Sequence, residues 1–149
     1  MQGIRPAHPD DLAAISAICM AAFGEAVAPS LSAQGVATFT QVASVDAFAG
    51  RLQGDNHILV AERDDRIVGM IELKEGRHLA MLFVDPACQG QGIGHALFQA
   101  VLPQLRTPVM SVRASLNAVA TYQRYGFVID GEAGEFNGLV YQPLSLAAC

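Results

Sequence analysis

Three glycines within five residues, Gly90, Gly92 and Gly94, follow Gln89, alternate with Gln91 and Ile93, and lead into His95. The run that contains them, from Leu82-Phe83-Val84-Asp85-Pro86 through Ala87-Cys88 to Ala96-Leu97, reads as a strand, a turn, a glycine cluster and an amphipathic helix. A strand that delivers the chain to an unhindered helix N-terminus leaves several main-chain amides unpaired and aimed one way, at the positive end of the helix dipole. Such an arrangement binds phosphate, and side chains at the three glycines would keep a diphosphate away from those amides.

Two familiar phosphate-binding patterns do not fit. A P-loop needs Lys and then Ser or Thr after its last glycine, and His95-Ala96 stands there instead. A dinucleotide fingerprint needs a later third glycine and an acid roughly 20 residues on, yet no Asp or Glu occurs between Pro86 and Ile129. That same stretch carries Arg106, Arg113 and Arg124 within a chain of net charge −5, which suits a polyanionic ligand beside the turn. The acidic excess elsewhere disfavours nucleic acid as a partner and hints at a cationic acceptor.

The elements that position the turn follow from pattern. Ile4-Arg5-Pro6-Ala7 predicts a short strand, and Asp10 or Asp11 a cap for a helix carrying Leu12, Ile15, Ile18 and Cys19 to about Phe23. Gly24 to Pro29 reads as a loop. Ser30 or Ser32, then Ser44, can cap two further helices, with Gly54 as the stop. His57 to Glu62 and Arg66 to Leu73, joined at Arg63-Asp64-Asp65, predict a hairpin, and Leu79 to Val84 a third strand of the meander. Ile93, Leu97, Ala100, Val101 and Leu105 recur at helical spacing until Pro103 disturbs the last turn, and Pro108 opens the strand Val109 to Ala114. Asn117 reads as the cap of a helix from Ala118 to Tyr125, Gly126 as its left-handed end, and Phe127 to Ile129 and Leu139 to Gln142 as closing strands. The expected fold is a mixed α/β single domain over 1–149, a mostly antiparallel twisted sheet with helices on both faces.

With Gln89-x-x-Gly92-x-Gly94 following Val84-Asp85-Pro86, the sequence resembles the GCN5-related N-acetyltransferase family. Asn117-Ala118-Val119-Ala120-Thr121-Tyr122-Gln123-Arg124-Tyr125-Gly126-Phe127 is similar to that family's second motif, and Ile4-Arg5-Pro6-Ala7 with Asp10-Asp11-Leu12 to its opening, so the likeness runs from Ile4 to about Tyr141. It implies an enzyme that uses acetyl-coenzyme A as co-substrate, needs no metal, and transfers the acetyl group directly to a primary amine. A non-catalytic acetyl-coenzyme A-binding module is the rival reading.

The resemblance also implies roles. Phe83 and Val84 would face the acyl arm, with the Val84 amide toward the thioester carbonyl, where two neighbouring strands splay apart to admit that arm. The amides of Gln89, Gly90, Gln91, Gly92, Ile93, Gly94 and His95 would hold the diphosphate, Asn117 the pantetheine, and Arg124 a coenzyme phosphate. Tyr122 is the expected acid for the leaving thiolate, since a phenol of pKa about 10 is protonated at neutral pH. Relatives often carry a Glu three or four residues before the Val84 position, where this chain has Met81 and Ala80; Glu72 and His78 are the replacement candidates for a base, with His57 more distant. Water alone also suffices for an amine of lowered pKa.

Cys19, Cys88 and Cys149 show no Cys-x-x-Cys spacing or His cluster and are expected to be reduced thiols. No apolar run reaches the roughly 20 residues of a membrane span and no secretory signal is visible, which predicts a cytoplasmic protein without a membrane partner. A homodimer is the default assembly.

Overall fold

The computed structural model describes residues 2–147, so Cys149 lies outside the described residues. The sheet comprises β1 (Gln2–Pro6), β2 (Asn56–Arg63), β3 (Arg66–Lys74), β4 (His78–Val84), β5 (Val109–Ala114), β6 (Val128–Ile129), β7 (Gly134–Phe136) and β8 (Leu139–Ala147). Its order is β1-β2-β3-β4-β5-β8-β6, with β7 paired to β8. All neighbours run antiparallel except β4 and β5, which are parallel.

Helices cover both faces, because successive strand residues point to opposite sides and both sides are apolar. On one face α1 (Leu12–Ala26), α2 (Ala33–Val42) and α3 (Val45–Gln53) bury Ile15, Cys19, Phe23, Phe39 and Phe48 against Val60 and Met70. On the other, α4 (Ile93–Val101) and α5 (Val119–Arg124) bury Leu97, Phe98, Val101 and Tyr122 against Ile71, Leu73, Val112 and Leu144. Ser32 and Ser44 cap α2 and α3 by accepting from the amides of Gly35 and Ala47, as their types predict.

Several boundaries differ from the expected ones for identifiable reasons. The α1 helix continues through Gly24 to Ala26, because Phe23 and Val27 are buried and that packing outweighs the weak helix propensity of glycine. Asp11 makes no side-chain cap of α1; its carboxylate accepts from the His8 amide at 2.7 Å and, two-pronged, from Arg5 at 2.8 and 3.0 Å. Asn117 sits inside a 3-10 turn, Leu116–Ala118, and α5 begins only at Val119. The last strand runs through Pro143 to Ala147; the Asp130 amide donates to Pro143 O, so the missing proline donor faces the point where β6 ends. The β7–β8 hairpin was not expected, although Asn137-Gly138 at its tip, both at positive φ, is a strong two-residue turn signal.

Candidate active site

The site begins with a fault between β4 and β5. Their parallel pairing covers only His78 with Ser111 and Leu79 with Val112, after which the strands part. The cause lies on β4's other edge, where Leu73 pairs with Leu79 and Glu72 with Met81, leaving Ala80 as the extra residue of a bulge. The bulge turns the chain away from β5 and opens a split. The Asp85 amide donates to Val68 O on β3, so the Val84 N–H, one residue back, points the opposite way, into the split.

The split joins a groove of about 730 Å³ that reaches both faces of the sheet. On the α4 face its wall is the glycine turn. Gly90 and Gly92 adopt φ of 79° and 80°, the left-handed region that suits glycine, and a Cβ on either would meet open space rather than protein. Among the described residues, none of the main-chain amides at 89–95 donates to a main-chain carbonyl; the first that does is Ala96, to Gly92 O at 3.0 Å. At Gly94 a Cβ would lie 3.2 Å from the Tyr125 hydroxyl, so that glycine lets α5 close on α4. The side chain of Gln89 donates to Val84 O at 3.3 Å and ties the turn to the end of β4. Gln91 accepts from Arg63, and His95 stacks on Tyr125 with centroids 5.1 Å apart. The turn is therefore open, bare and held by its flanks, which fits a diphosphate.

The second motif forms the facing wall. Tyr122 is buried, edge-on to Tyr125 and Phe127, and lines the groove. Among the described residues its hydroxyl has no hydrogen-bond partner, and the residue lines the groove. Burial, with Tyr125 adding to it, pushes its pKa above that of a free phenol, and the group stays protonated at neutral pH. Asn117 and Arg124 also line the groove, Arg124 donating to the Thr121 hydroxyl at 3.1 Å. Cys88 is buried, lines the groove beside the turn, and has Arg66 Nη2 4.0 Å from its sulfur.

Neither candidate base reaches this groove. Glu72 is fully buried on β3, directly across from Met81, with its carboxylate held by Arg51 Nε at 2.8 Å and Asn56 Nδ2 at 2.6 Å. Those bonds make it a structural ion pair beneath α3, since removing one partner of a buried pair leaves an uncompensated charge. His78 precedes the split, with Nδ1 2.7 Å from the Ser111 hydroxyl. Burial first, then the charges of Arg113, Arg77 and Lys74, lower its pKa to about 4, so its ring is neutral at pH 7. His57 likewise stands outside the groove. No Asp or Glu is among the residues that line it.

Sequence reasoning missed the groove's other half. On the α1 face Phe23 and Phe39 stack with centroids 3.9 Å apart, and Phe39 meets Phe83 edge-on at 5.5 Å. Val27, Met81 and Leu139 complete that wall, and Arg113 and Tyr141 stand in it too. Their contribution depends on which face each strand residue takes after the bulge, and no local pattern encodes that.

Among the described residues no cluster of His, Cys, Asp and Glu is arranged to hold a metal ion, and no helix is long and apolar enough to cross a membrane. Comparison with known proteins agrees with this geometry. A family model described as an acetyltransferase (GNAT) domain matches residues 27–148. The peptidyl-lysine N-acetyltransferase YiaC of Escherichia coli is 38% identical over 73 residues, 47% of this chain and 49% of that protein. The matched stretch thus spans about half the length of that curated relative. The crystal structure of a GCN5-related N-acetyltransferase from Rhodopseudomonas palustris superposes with a TM-score of 0.86 at 25% identity, over 99% of this chain and 96% of that one. The PaiA N-acetyltransferase of Thermoplasma acidophilum, solved with coenzyme A, shares the fold at a TM-score of 0.82 and 17% identity, over 99% of each chain.

Proposed function

Because the chain belongs to the GNAT acetyltransferase family, we propose that it is an acetyl-coenzyme A-dependent N-acetyltransferase acting directly on a primary amine. One observation carries the reading: a cradle of bare amides at 89–95 opens into a groove that crosses the sheet at the β4–β5 split and is lined by both Val84 and Tyr122. Acetyl-coenzyme A supplies a thioester, an acyl group already activated toward a neutral amine. The turn amides and the α4 dipole bind its diphosphate, with Arg124 and His95 at the rim and Asn117 beside the pantetheine path.

The amine nitrogen bonds to the acetyl carbonyl carbon as the carbon–sulfur bond breaks. Val84 N–H donates to the carbonyl oxygen as charge develops there. Sulfur departs with the bonding electron pair and takes the Tyr122 proton, the amine's proton passes to water, and Tyr122 is re-protonated from solvent. No covalent enzyme intermediate is needed.

The absence of a carboxylate from the groove favours one rival, a coenzyme-binding module without catalysis. An assay of thiol release over an amine panel, paired with calorimetry, separates the two. The transferase releases thiol with at least one amine class, and Gly92→Val weakens coenzyme A binding at least about tenfold, because a β-branched residue resists positive φ and its side chain enters the cradle. Coenzyme binding without thiol release across the panel would identify the rival.

A further inference from the structure

The acceptor half of the groove differs from the coenzyme half in both polarity and charge. Met110, Val112 and Ala114 of β5 pack with α4 and α5, so Arg113, between them, projects to the opposite face, that of α1 and α2. It therefore cannot serve the diphosphate cradle, which lies on the α4 side. Its guanidinium lies over the Tyr141 ring, 4.7 Å from the centroid, and among the described residues it forms no ion pair with a carboxylate. Gly134 of β7 packs closely beside that ring, where a Cβ would come within 2.8 Å of the Tyr141 hydroxyl.

Around this cation the chamber is apolar, walled by Phe23, Val27, Phe39, Met81, Phe83 and Leu139. Beside the chamber, Gly35 of α2 touches the Gly138 main chain, and the Thr38 hydroxyl donates to Asn137 O at 2.6 Å, which fastens α2 to the β7–β8 turn. An apolar chamber suits an apolar acceptor. With no Asp or Glu in its lining, it gives a polyamine or aminoglycoside no counter-charge, and stripping water from unpaired ammonium groups is costly. An unpaired guanidinium on an aromatic ring matches a carboxylate, which it can bind with two parallel hydrogen bonds.

We propose that the acceptor is a small apolar α-amino acid, its side chain among Phe23, Phe39 and Phe83, its carboxylate on Arg113, and its α-amine directed to the split. The proposal rests on the transferase reading above and names the acceptor for it. The chemistry is the step already written, with an N-acetyl amino acid as product. Specificity comes as much from what the chamber rejects as from what it binds.

The test uses the full chain with leucine, methionine and phenylalanine, their decarboxylated amines, spermidine and a lysine-containing peptide. Thiol release is one readout, and calorimetry of phenylalanine into protein loaded with coenzyme A is the other. The amino acids should exceed their decarboxylated counterparts at least about tenfold in kcat/KM, mainly through KM. Arg113→Gln should bring that ratio close to one, and Arg113→Lys should restore part of it. Arg113-dependent binding of phenylalanine without thiol release from any amine would sustain the acceptor site and overturn the transferase reading. Turnover of spermidine or the peptide with neither turnover nor binding of the apolar amino acids would overturn the acceptor site and leave the transferase reading standing. An amino-acid preference that Arg113→Gln leaves intact would also sink the proposal.

Discussion

Tyr122 combines two properties that seldom coincide: a hydroxyl with no hydrogen-bond partner among the described residues and a ring that is almost wholly enclosed. A buried phenol normally finds a hydrogen bond, so leaving one unpaired beside a groove carries a cost. The same enclosure raises its pKa, which keeps it an acid under all ordinary conditions. Tyr122→Phe removes one oxygen and no packing volume. It should leave coenzyme A affinity and melting temperature nearly unchanged while lowering kcat for thiol release by about 100-fold or more, within the range for a positioned general acid. Equal kcat in the two proteins would remove Tyr122 from the chemistry. Glu72 is the contrasting case, a carboxylate of the right type that is fully buried outside the groove, with one oxygen, Oε2, held by both Arg51 and Asn56.

At the scale of elements, the fastening of α2 to the β7–β8 turn depends on two glycines in main-chain contact. A Cβ at Gly35 would overlap Gly138 O and lie 2.9 Å from Gly138 C, and backbone atoms cannot swing aside as a flexible side chain can. Gly35→Ala should therefore push α2 off the turn and cost about 1–3 kcal/mol, a typical overpacking penalty, read as a melting point several degrees lower. Because α2 lines the groove only through Phe39 and Val42, on the acceptor side, coenzyme A affinity should persist while KM for the amine rises; a loss of coenzyme affinity instead would show that the two halves are not separable. Elements with local punctuation were legible from the chain: Ser32, Ser44, Gly126 and Pro108 stand where their chemistry places them. So was the open glycine turn between β4 and α4, since glycine spacing after a strand carries its own physical reason, and the family resemblance implied the splaying of two strands beside Val84. Two features were not: the bulge at Ala80 and the sidedness of Arg113. Each arises from pairing between distant strands, and a one-residue slip exchanges the faces of every residue beyond it.

Across the whole molecule, charge is sorted by location. The acidic residues that make the chain −5 overall are absent from the groove, where Arg113 and Arg124 supply the formal charge. An amine entering there meets no carboxylate to take its proton, so it must arrive neutral, and its own pKa then governs the rate. With acetyl-coenzyme A saturating, log kcat/KM for the amine should rise with unit slope as pH increases and level off at the acceptor's pKa. The break should move with the acceptor, lying at a higher pH for a decarboxylated amine than for the amino acid from which it derives, because the electron-withdrawing carboxylate near the α-amine lowers its pKa. Tyr122 adds no falling limb below about pH 10, because burial moves its pKa upward and the acid form persists. A break that stays at one pH for every acceptor would reveal a protein base in the groove, and the reading of an acid-free chamber served by water would fail with it.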